Sequence, residues 1–179
     1  MKRISALIVF FVFSLSCFAV EDGSKFVKLS VSSRVFKEGG MIPSKFTCKG
    51  ANISPPIAWT GVPRGTKSFV LICNDPDAPL GNWIHWIVYN IPPDARSLAG
   101  NYPKQSKQGD GTLQAKTSFG TAGYGGPCPP SGVHRYFFSV YALDTTLDLD
   151  PGTANYMEVV KAMQGHVKGF GQVMGRFKK

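Results

Sequence analysis

The alternation of hydrophobic and polar positions predicts a mostly β chain. The segments rich in β-branched and aromatic residues, each bounded by Gly, Pro, Asn or Asp, are 26–33, 67–73, 82–91 and 134–143. In the last segment the run RYFFSVYAL is apolar at nearly every position. We therefore expect this strand to be covered on both faces and to lie centrally in a sheet.

One segment carries a helical period. In TANYMEVVKAMQGHV, residues 153–167, one stripe holds Tyr156, Val159, Val160, Met163 and Val167. Thr153 is placed to cap the start of this helix. Glycines at 165, 169, 171 and 175 discourage its continuation, so the tail GQVMGRFKK is predicted to return as a strand.

Residues 92–133 differ in composition from the rest of the chain. They are rich in Gly, Pro, Ser, Lys and Gln and contain few aliphatic side chains. A long irregular connection of this kind inside a compact domain is usually functional. We see no internal repeat or linker, so we expect a single domain over 20–179, long enough for one sizeable core.

The first nineteen residues, MKRISALIVFFVFSLSCFA, predict a secretory signal peptide at 1–19. Lys2 and Arg3 give the basic start, an apolar run follows, and Cys17 and Ala19 have the spacing of a cleavage site. The apolar run is too short for a membrane anchor. Lipid attachment at Cys17 is a weaker alternative, because SLSC matches a lipoprotein site only loosely. We therefore expect a periplasmic or secreted protein.

The chain is basic. Its formal charge of +9 falls by two, to +7, when Lys2 and Arg3 leave with the signal peptide. A basic surface suits anionic ligands or membranes. The lysines are scattered and form no patch, so we do not expect nucleic-acid binding.

Three of the four cysteines remain after removal of Cys17. Cys73 lies in the apolar run SFVLICN, whereas Cys48 and Cys128 lie in loops flanked by glycine and proline. Exported domains favour disulfides. We therefore predict a Cys48–Cys128 bridge and a free, buried Cys73.

Two dense stretches carry the candidate chemistry. In DPDAPLGNWIHW, residues 75–86, two carboxylates follow one strand and His85 begins the next, so these groups should cluster at strand ends. In GYGGPCPPSGVHRYFF, residues 123–138, glycine N–H groups can approach a ligand closely. There His134 and Tyr136 are two apart and share a strand face. If the strands are neighbours, the two stretches form one polar pocket. Taken alone, each aspartate is more typical of a turn residue, and His85 could equally be a buried core histidine.

The motifs resemble those of the phosphatidylethanolamine-binding proteins, also called Raf kinase inhibitor proteins, in their bacterial and archaeal branch. The resemblance rests on DPDAP followed by WIHW, on YNIPPD, on GYGGPCPPSGVHRY followed by YALD, and on FTCKGANISPPIAW at 46–59. It implies an antiparallel β-sandwich with a short C-terminal helix and a small anion pocket for phosphate-bearing groups. The implied pocket residues are Asp75, Asp77, Trp83, His85, Gly126, Pro127, His134 and Tyr136.

Two departures from the family pattern lie outside the implied pocket. Ile84 stands where many eukaryotic members carry another histidine, and the long C-terminal helix of mammalian members has no evident counterpart. The second departure argues against importing eukaryotic signalling roles.

The implied pocket is chemically coherent. An anion needs hydrogen-bond donors, which the two histidines, the Tyr136 hydroxyl and the Gly126 N–H can supply. An aspartate that accepts from a histidine favours its protonated form, so Asp75 and Asp77 would strengthen anion binding indirectly. One of the acids could instead receive the ammonium of a zwitterionic head group, with Trp83 stacking on it.

Hydrolase functions fit the sequence less well. It contains no HExxH motif for a metal site, and a Cys128 nucleophile beside His134 would be lost in the predicted disulfide. We expect a binding protein that is not an enzyme and uses no metal or cofactor. As a monomer or homodimer, it would bind phosphate-bearing small molecules or phospholipid head groups such as phosphoethanolamine. The alternative is an inhibitor or regulator of a partner kinase or protease through the pocket rim.

Overall fold

The computed structural model describes residues 26–179 as two β-sheets, one short α-helix and a 3-10 helix at Ser44–Phe46. The elements in chain order are β1 (Val27–Lys28), β2 (Ser30–Ser32), β3 (Ile57–Thr60), β4 (Ser68–Asp75), β5 (Trp83–Ile91), β6 (Ser97–Leu98), β7 (Leu113–Gln114), β8 (Val133–Leu143), α1 (Tyr156–Met163) and β9 (Val167–Lys178). The larger sheet has the order β1-β9-β8-β4-β5-β7 and the smaller one β2-β3-β6. Neighbouring strands are antiparallel except for β1 and β9. The predicted β-sandwich with a short C-terminal helix is confirmed.

The central strands are buried because apolar side chains cover both of their faces. In β4, Phe69 and Leu71 join the core between the two sheets, while Val70 and Ile72 join a second cluster that includes Val159 of α1. Alternate residues of a strand point to opposite faces, so an unbroken apolar run fits this position. The predicted central strand, β8, lies between β9 and β4.

The segment predicted as one strand at 26–33 is two strands in different sheets. β1 pairs with β9 in the larger sheet, and β2 pairs with β3 in the smaller one. Leu29 lies between them, buried, with its N–H donating to the carbonyl of Phe170. A period of two specifies which residues face inward but not the sheet to which they belong, so the sequence pattern could not reveal this crossing.

The helix is shorter than the predicted 153–167, and a different residue caps it. Asn155 accepts hydrogen bonds from the N–H groups of Met157 and Glu158, and the Glu158 side chain accepts from the Asn155 N–H. This capping box takes the place assigned to Thr153, whose hydroxyl bonds to Asp150 in the preceding turn. The tail forms β9, so its predicted return as a strand is confirmed.

The long connection at 92–133 is largely irregular but includes the short strands β6 and β7. Gln114 fixes it to the core. Its buried amide accepts from the indole N–H of Trp86 at 2.7 Å and donates to the carbonyls of Pro103 and Gln105. The sequence patterns also missed β3, a four-residue strand.

The predicted signal peptide at 1–19 lies outside the described residues. From residue 26 onward, no helix has both the length and the apolar character needed to cross a membrane.

Candidate functional site

A cavity of about 280 Å3 opens where β4 ends and where β5 and β8 begin. β4 pairs with β5 on one side and with β8 on the other, so the two dense sequence stretches meet here. The lining consists of Asp75, Ala78, Pro79, Leu80, Trp83, His85, Phe119, Cys128, Pro129, Pro130 and His134. Four of the eight predicted pocket residues therefore line one cavity: Asp75, Trp83, His85 and His134.

His134 is oriented by the carboxylate of Asp75. Its Nδ1 lies 2.8 Å from Asp75 Oδ2, and both side chains are buried. The other carboxylate oxygen accepts the backbone N–H of Asp77 at 2.8 Å. Because a carboxylate accepts hydrogen bonds, Nδ1 of His134 is the donor and Nε2 is left for a ligand.

His85 is oriented by the backbone at Gly125. Its Nδ1 donates to the Gly125 carbonyl at 2.6 Å, and the Gly125 N–H donates to the His85 carbonyl at 2.9 Å. A carbonyl oxygen can only accept, so the proton is on Nδ1 and Nε2 carries the lone pair of the neutral ring. Burial lowers the pKa of His85 from its ordinary 6.5. Burial therefore favours the neutral form of the His85 imidazole.

Aromatic rings form one wall of the cavity. The Phe119 ring lies edge-on to Trp83 at 5.6 Å and to His85 at 5.4 Å between centroids. A Cβ at Gly125 would overlap the Phe119 ring, so only glycine permits this packing. The sequence analysis missed both Phe119 and Gly125. The signal that could have identified Phe119 is that it is an isolated aromatic residue in a Gly- and Ser-rich loop.

Tyr136 lies beneath the cavity and does not line it. Its ring meets that of His85 edge-on, with centroids 5.2 Å apart. The hydroxyl is buried and makes no hydrogen bond within residues 26–179. Burial, followed by the negative charge of Asp75, raises the pKa of Tyr136, so the phenol stays neutral.

Asp77 lies outside the cavity and is paired with Arg135. Its carboxylate accepts from Arg135 Nε at 2.9 Å, from the guanidinium NH2 group at 2.6 Å and from the Arg135 backbone N–H at 2.9 Å. The hydrogen bonds from Arg135 lower the pKa of Asp77 from 3.8 to about 2. With Asp75 engaged by His134, neither acid is left unpaired for a ligand ammonium. The sequence analysis did not identify Arg135.

Gly126 and Pro127 lie behind the cavity wall. The Gly126 N–H, which we expected to bind the anion, donates instead to Asn52 Oδ1 at 2.7 Å. A Cβ at Gly126 would come within 2.6 Å of that oxygen and 2.7 Å of the Phe46 carbonyl, so close packing requires glycine here. Pro127 accepts the N–H of Cys48 through its carbonyl. Both residues position the loop, and neither lines this cavity.

The predicted disulfide is present. Cys48 and Cys128 are bonded, with Cα atoms 5.4 Å apart, and Cys73 is a buried free thiol. Burial raises the pKa of Cys73 well above 9.0, so its thiol is protonated and unreactive. Cys128 also lines the cavity, so the covalent link forms part of its wall.

The site offers few groups for a metal ion. Two imidazole nitrogens face the cavity, and the part of the chain that the structure describes has no cluster of three or more His, Cys, Asp or Glu side chains arranged to hold a metal.

Comparison with known proteins identifies relatives along most of the chain. Residues 32–178 match the family model for phosphatidylethanolamine-binding protein. A UPF0098 protein from Methanothermobacter thermautotrophicus is 51% identical over 151 residues, covering 84% of this chain and 99% of its own. A UPF0098 protein from Pyrococcus abyssi is 42% identical over 183 residues, covering 100% of this chain and 99% of its own.

Solved structures show the same fold. A putative phosphatidylethanolamine-binding protein homolog from Chlamydia trachomatis matches with a TM-score of 0.78 and 38% identity, over 85% of this chain and 98% of its own. YbcL of Escherichia coli, described as a new member of the mammalian family, matches with a TM-score of 0.76 and 31% identity, over 85% of this chain and 99% of its own. By sequence and by fold, the chain belongs to the phosphatidylethanolamine-binding protein family, in its bacterial and archaeal form.

Proposed function

We propose that this protein binds the phosphate of a small molecule or phospholipid head group, such as phosphoethanolamine, in the cavity between His85 and His134. One observation carries the proposal. Both imidazoles are fixed through Nδ1 by acceptors in the protein, so both leave Nε2 to the same cavity. Membership of the family supports ligand binding in general terms.

Protonation would turn these two nitrogens into a clamp for an oxyanion. A protonated imidazole donates from both nitrogens. Nδ1 would keep its present acceptor while Nε2–H donates to the ligand. Hydrogen bonds to charged groups are short and strong, and the apolar walls strengthen them by excluding water. Burial disfavours the charged form of His85, so we expect the ligand to draw a proton onto that ring as it binds.

The lining favours binding over catalysis. Cys128, whose free thiolate would be the strongest nucleophile in the lining, has its sulfur held in the disulfide. The remaining side chains are histidines, one buried aspartate and apolar groups. We therefore propose a binding protein with no catalytic turnover.

We also propose that the protein works outside the cytoplasm, in the periplasm or as a secreted protein. The predicted signal peptide at 1–19 supports export. The Cys48–Cys128 disulfide fits an oxidising compartment.

The proposal is tested by titrating the mature protein with phosphoethanolamine in a calorimeter. In His134→Asn the side-chain amide can still donate to Asp75 near the position of Nδ1 but offers nothing at Nε2. Loss of one charged hydrogen bond should weaken binding by about tenfold or more. The matched control is His166→Asn, in an exposed histidine–aspartate pair, which should bind normally. Equal affinities for wild type and His134→Asn would contradict the proposal.

A second candidate function is regulation of a partner kinase or protease through the cavity rim. The observation that favours it is apolar exposure at the mouth, where Leu80 is 87% and Phe119 is 47% exposed. Exposed apolar side chains grouped at one site often mark a protein contact. Leu80→Glu should then abolish inhibition of such an enzyme. Retained inhibition by this variant would argue against the rim.

A further inference from the structure

A second cavity adjoins the first and shares a wall with it. Its volume is about 340 Å3, and it lies between the loop at 121–126 and the side chains of Asn52 and Lys104. Phe119 and Cys128 line both cavities. One aromatic ring and the disulfide therefore form a wall that the two spaces share.

The second cavity has the polarity expected for an anion. Lys104 lines it, and its ammonium forms no ion pair within the described residues. The Lys104 stem passes so close to Gly123 that a Cβ there would come within 2.8 Å of it. This packing fixes the base of the side chain against the cavity. No Asp or Glu is among the lining residues, in contrast to the first cavity, which contains Asp75.

Asn52 supplies a second donor in a defined orientation. Its Oδ1 accepts the Gly126 N–H at 2.7 Å, so the amide cannot be flipped without losing that bond. The Nδ2 group is thereby fixed on the other side of the amide. Within residues 26–179 it donates to no other group, so both of its hydrogens remain available to a ligand.

We infer that the second cavity is a subsite for a further acidic group, a carboxylate or second phosphate, on the ligand whose phosphate binds between His85 and His134. This inference rests on the proposed function and extends it to a ligand class, phosphorylated acids. Lys104 provides the charge and Asn52 a directed hydrogen bond. Phe119 acts as the partition that the ligand must span. Such a ligand is either a soluble metabolite or an acidic phospholipid head group.

Two soluble probes that differ by one carboxylate test the subsite. Phosphoserine should bind the mature protein about tenfold more tightly than phosphoethanolamine, as expected for one added charged contact. Lys104→Met, which keeps the aliphatic stem, should remove this preference and leave phosphoethanolamine affinity within about twofold. Lys107→Met changes net charge equally on the same connection but outside both cavities, so it should keep the preference.

The outcomes separate the two proposals. Equal binding of the two probes, or a preference that survives Lys104→Met, would overturn the subsite and leave the phosphate pocket standing. Failure of both probes to bind would overturn both. Vesicles of phosphatidylcholine with and without phosphatidylserine distinguish the source of the ligand. Lys104-dependent recruitment to the phosphatidylserine vesicles indicates a lipid, and phosphoserine binding without recruitment indicates a soluble acid.

Discussion

Two histidine–aspartate pairs in this protein have the same nitrogen–oxygen distance but different surroundings. His134 Nδ1 lies 2.8 Å from Asp75, and His166 Nδ1 lies 2.8 Å from Asp144. The first pair is buried, with side chains 10% and 4% exposed, and lines a cavity. The second is 47% and 31% exposed, and Asp144 is shared with Lys168 at 3.0 Å.

The difference shows what makes such a pair a binding site. At the surface, the hydrogen bond from Lys168 and then that from His166 lower the pKa of Asp144, and solvent screens these exposed contacts. In the cavity, Asp75 accepts hydrogen bonds from His134 and from the Asp77 backbone, and both members of the pair are buried among mostly apolar lining residues. The contact distance alone is therefore uninformative. Burial and an opening toward Nε2 distinguish the two pairs.

The largest effect should come from Asp75→Ala. It leaves the buried His134 Nδ1–H and the Asp77 N–H without acceptors. Breaking a buried pair in this way should lower the free energy of unfolding by about 3 kcal/mol and abolish measurable phosphoethanolamine binding. Urea denaturation and calorimetry test both effects. A loss no greater than that of Asp144→Ala would show that burial does not separate the pairs.

The next effect is a pH dependence that originates at His85. Burial lowers its pKa from the ordinary 6.5, and a bound oxyanion should raise the pKa by stabilising the imidazolium. Affinity should therefore rise as pH falls from about 8 to about 5, by up to about tenfold per unit for one linked proton. Sulfate is the suitable probe, because it does not itself titrate in this range.

His85→Asn should make the sulfate profile shallower, because only His134 then remains to take up a proton, whereas His166→Asn should leave the profile unchanged. A profile in the wild-type protein that is already flat would rule out proton uptake by the His85 ring.

A smaller effect is expected at Asp77, which is paired next to the cavity but outside it. The pKa of Asp77 in the folded protein, about 2, lies below its ordinary 3.8. The pair with Arg135 therefore stabilises the fold above about pH 4, and this contribution is lost as pH falls toward 2. Asp77→Asn should lower Tm by about 2 °C at neutral pH. The gap from wild type should close on acidification, and a gap independent of pH would contradict this account.

The smallest effect is expected for Asp144→Ala. Its partners are half-exposed and can return to water, so Tm and phosphoethanolamine affinity should both match the wild type within error. A large change in thermal denaturation would mean that the exposed pair has a structural role after all.

The sequence predicted those parts of the molecule in which local pattern and final position agree. The apolar runs of β4 and β8 and the Gly-flanked cysteines led to the correct sheet and the correct disulfide. The cavity histidines were identified because each lies near the start of a strand. Three-dimensional contacts determined the rest. The sequence suggested that Gly126 and Asp77 were available to bind a ligand. In the fold, the Gly126 N–H donates to Asn52, and the Asp77 carboxylate is paired with Arg135.

The same limit explains Phe119 and Leu29. Phe119 became a cavity wall because a glycine six residues later in the chain lacks a side chain. Leu29 sits where the chain passes between sheets, although its flanking pattern is that of one continuous strand. Neither the position of Phe119 nor that of Leu29 can be inferred from the periodicity of the local sequence.

Gly125 determines two properties of the cavity. Its carbonyl sets the tautomer of His85, and its missing side chain makes room for the Phe119 ring. A redesign of the cavity for a bulkier ligand therefore cannot begin at Gly125. A larger residue at this position would disturb the tautomer of His85 as well as the shape of the cavity. Leu80, which is 87% exposed at the mouth, is the position at which size can be varied while the acid–base character of the histidines is kept.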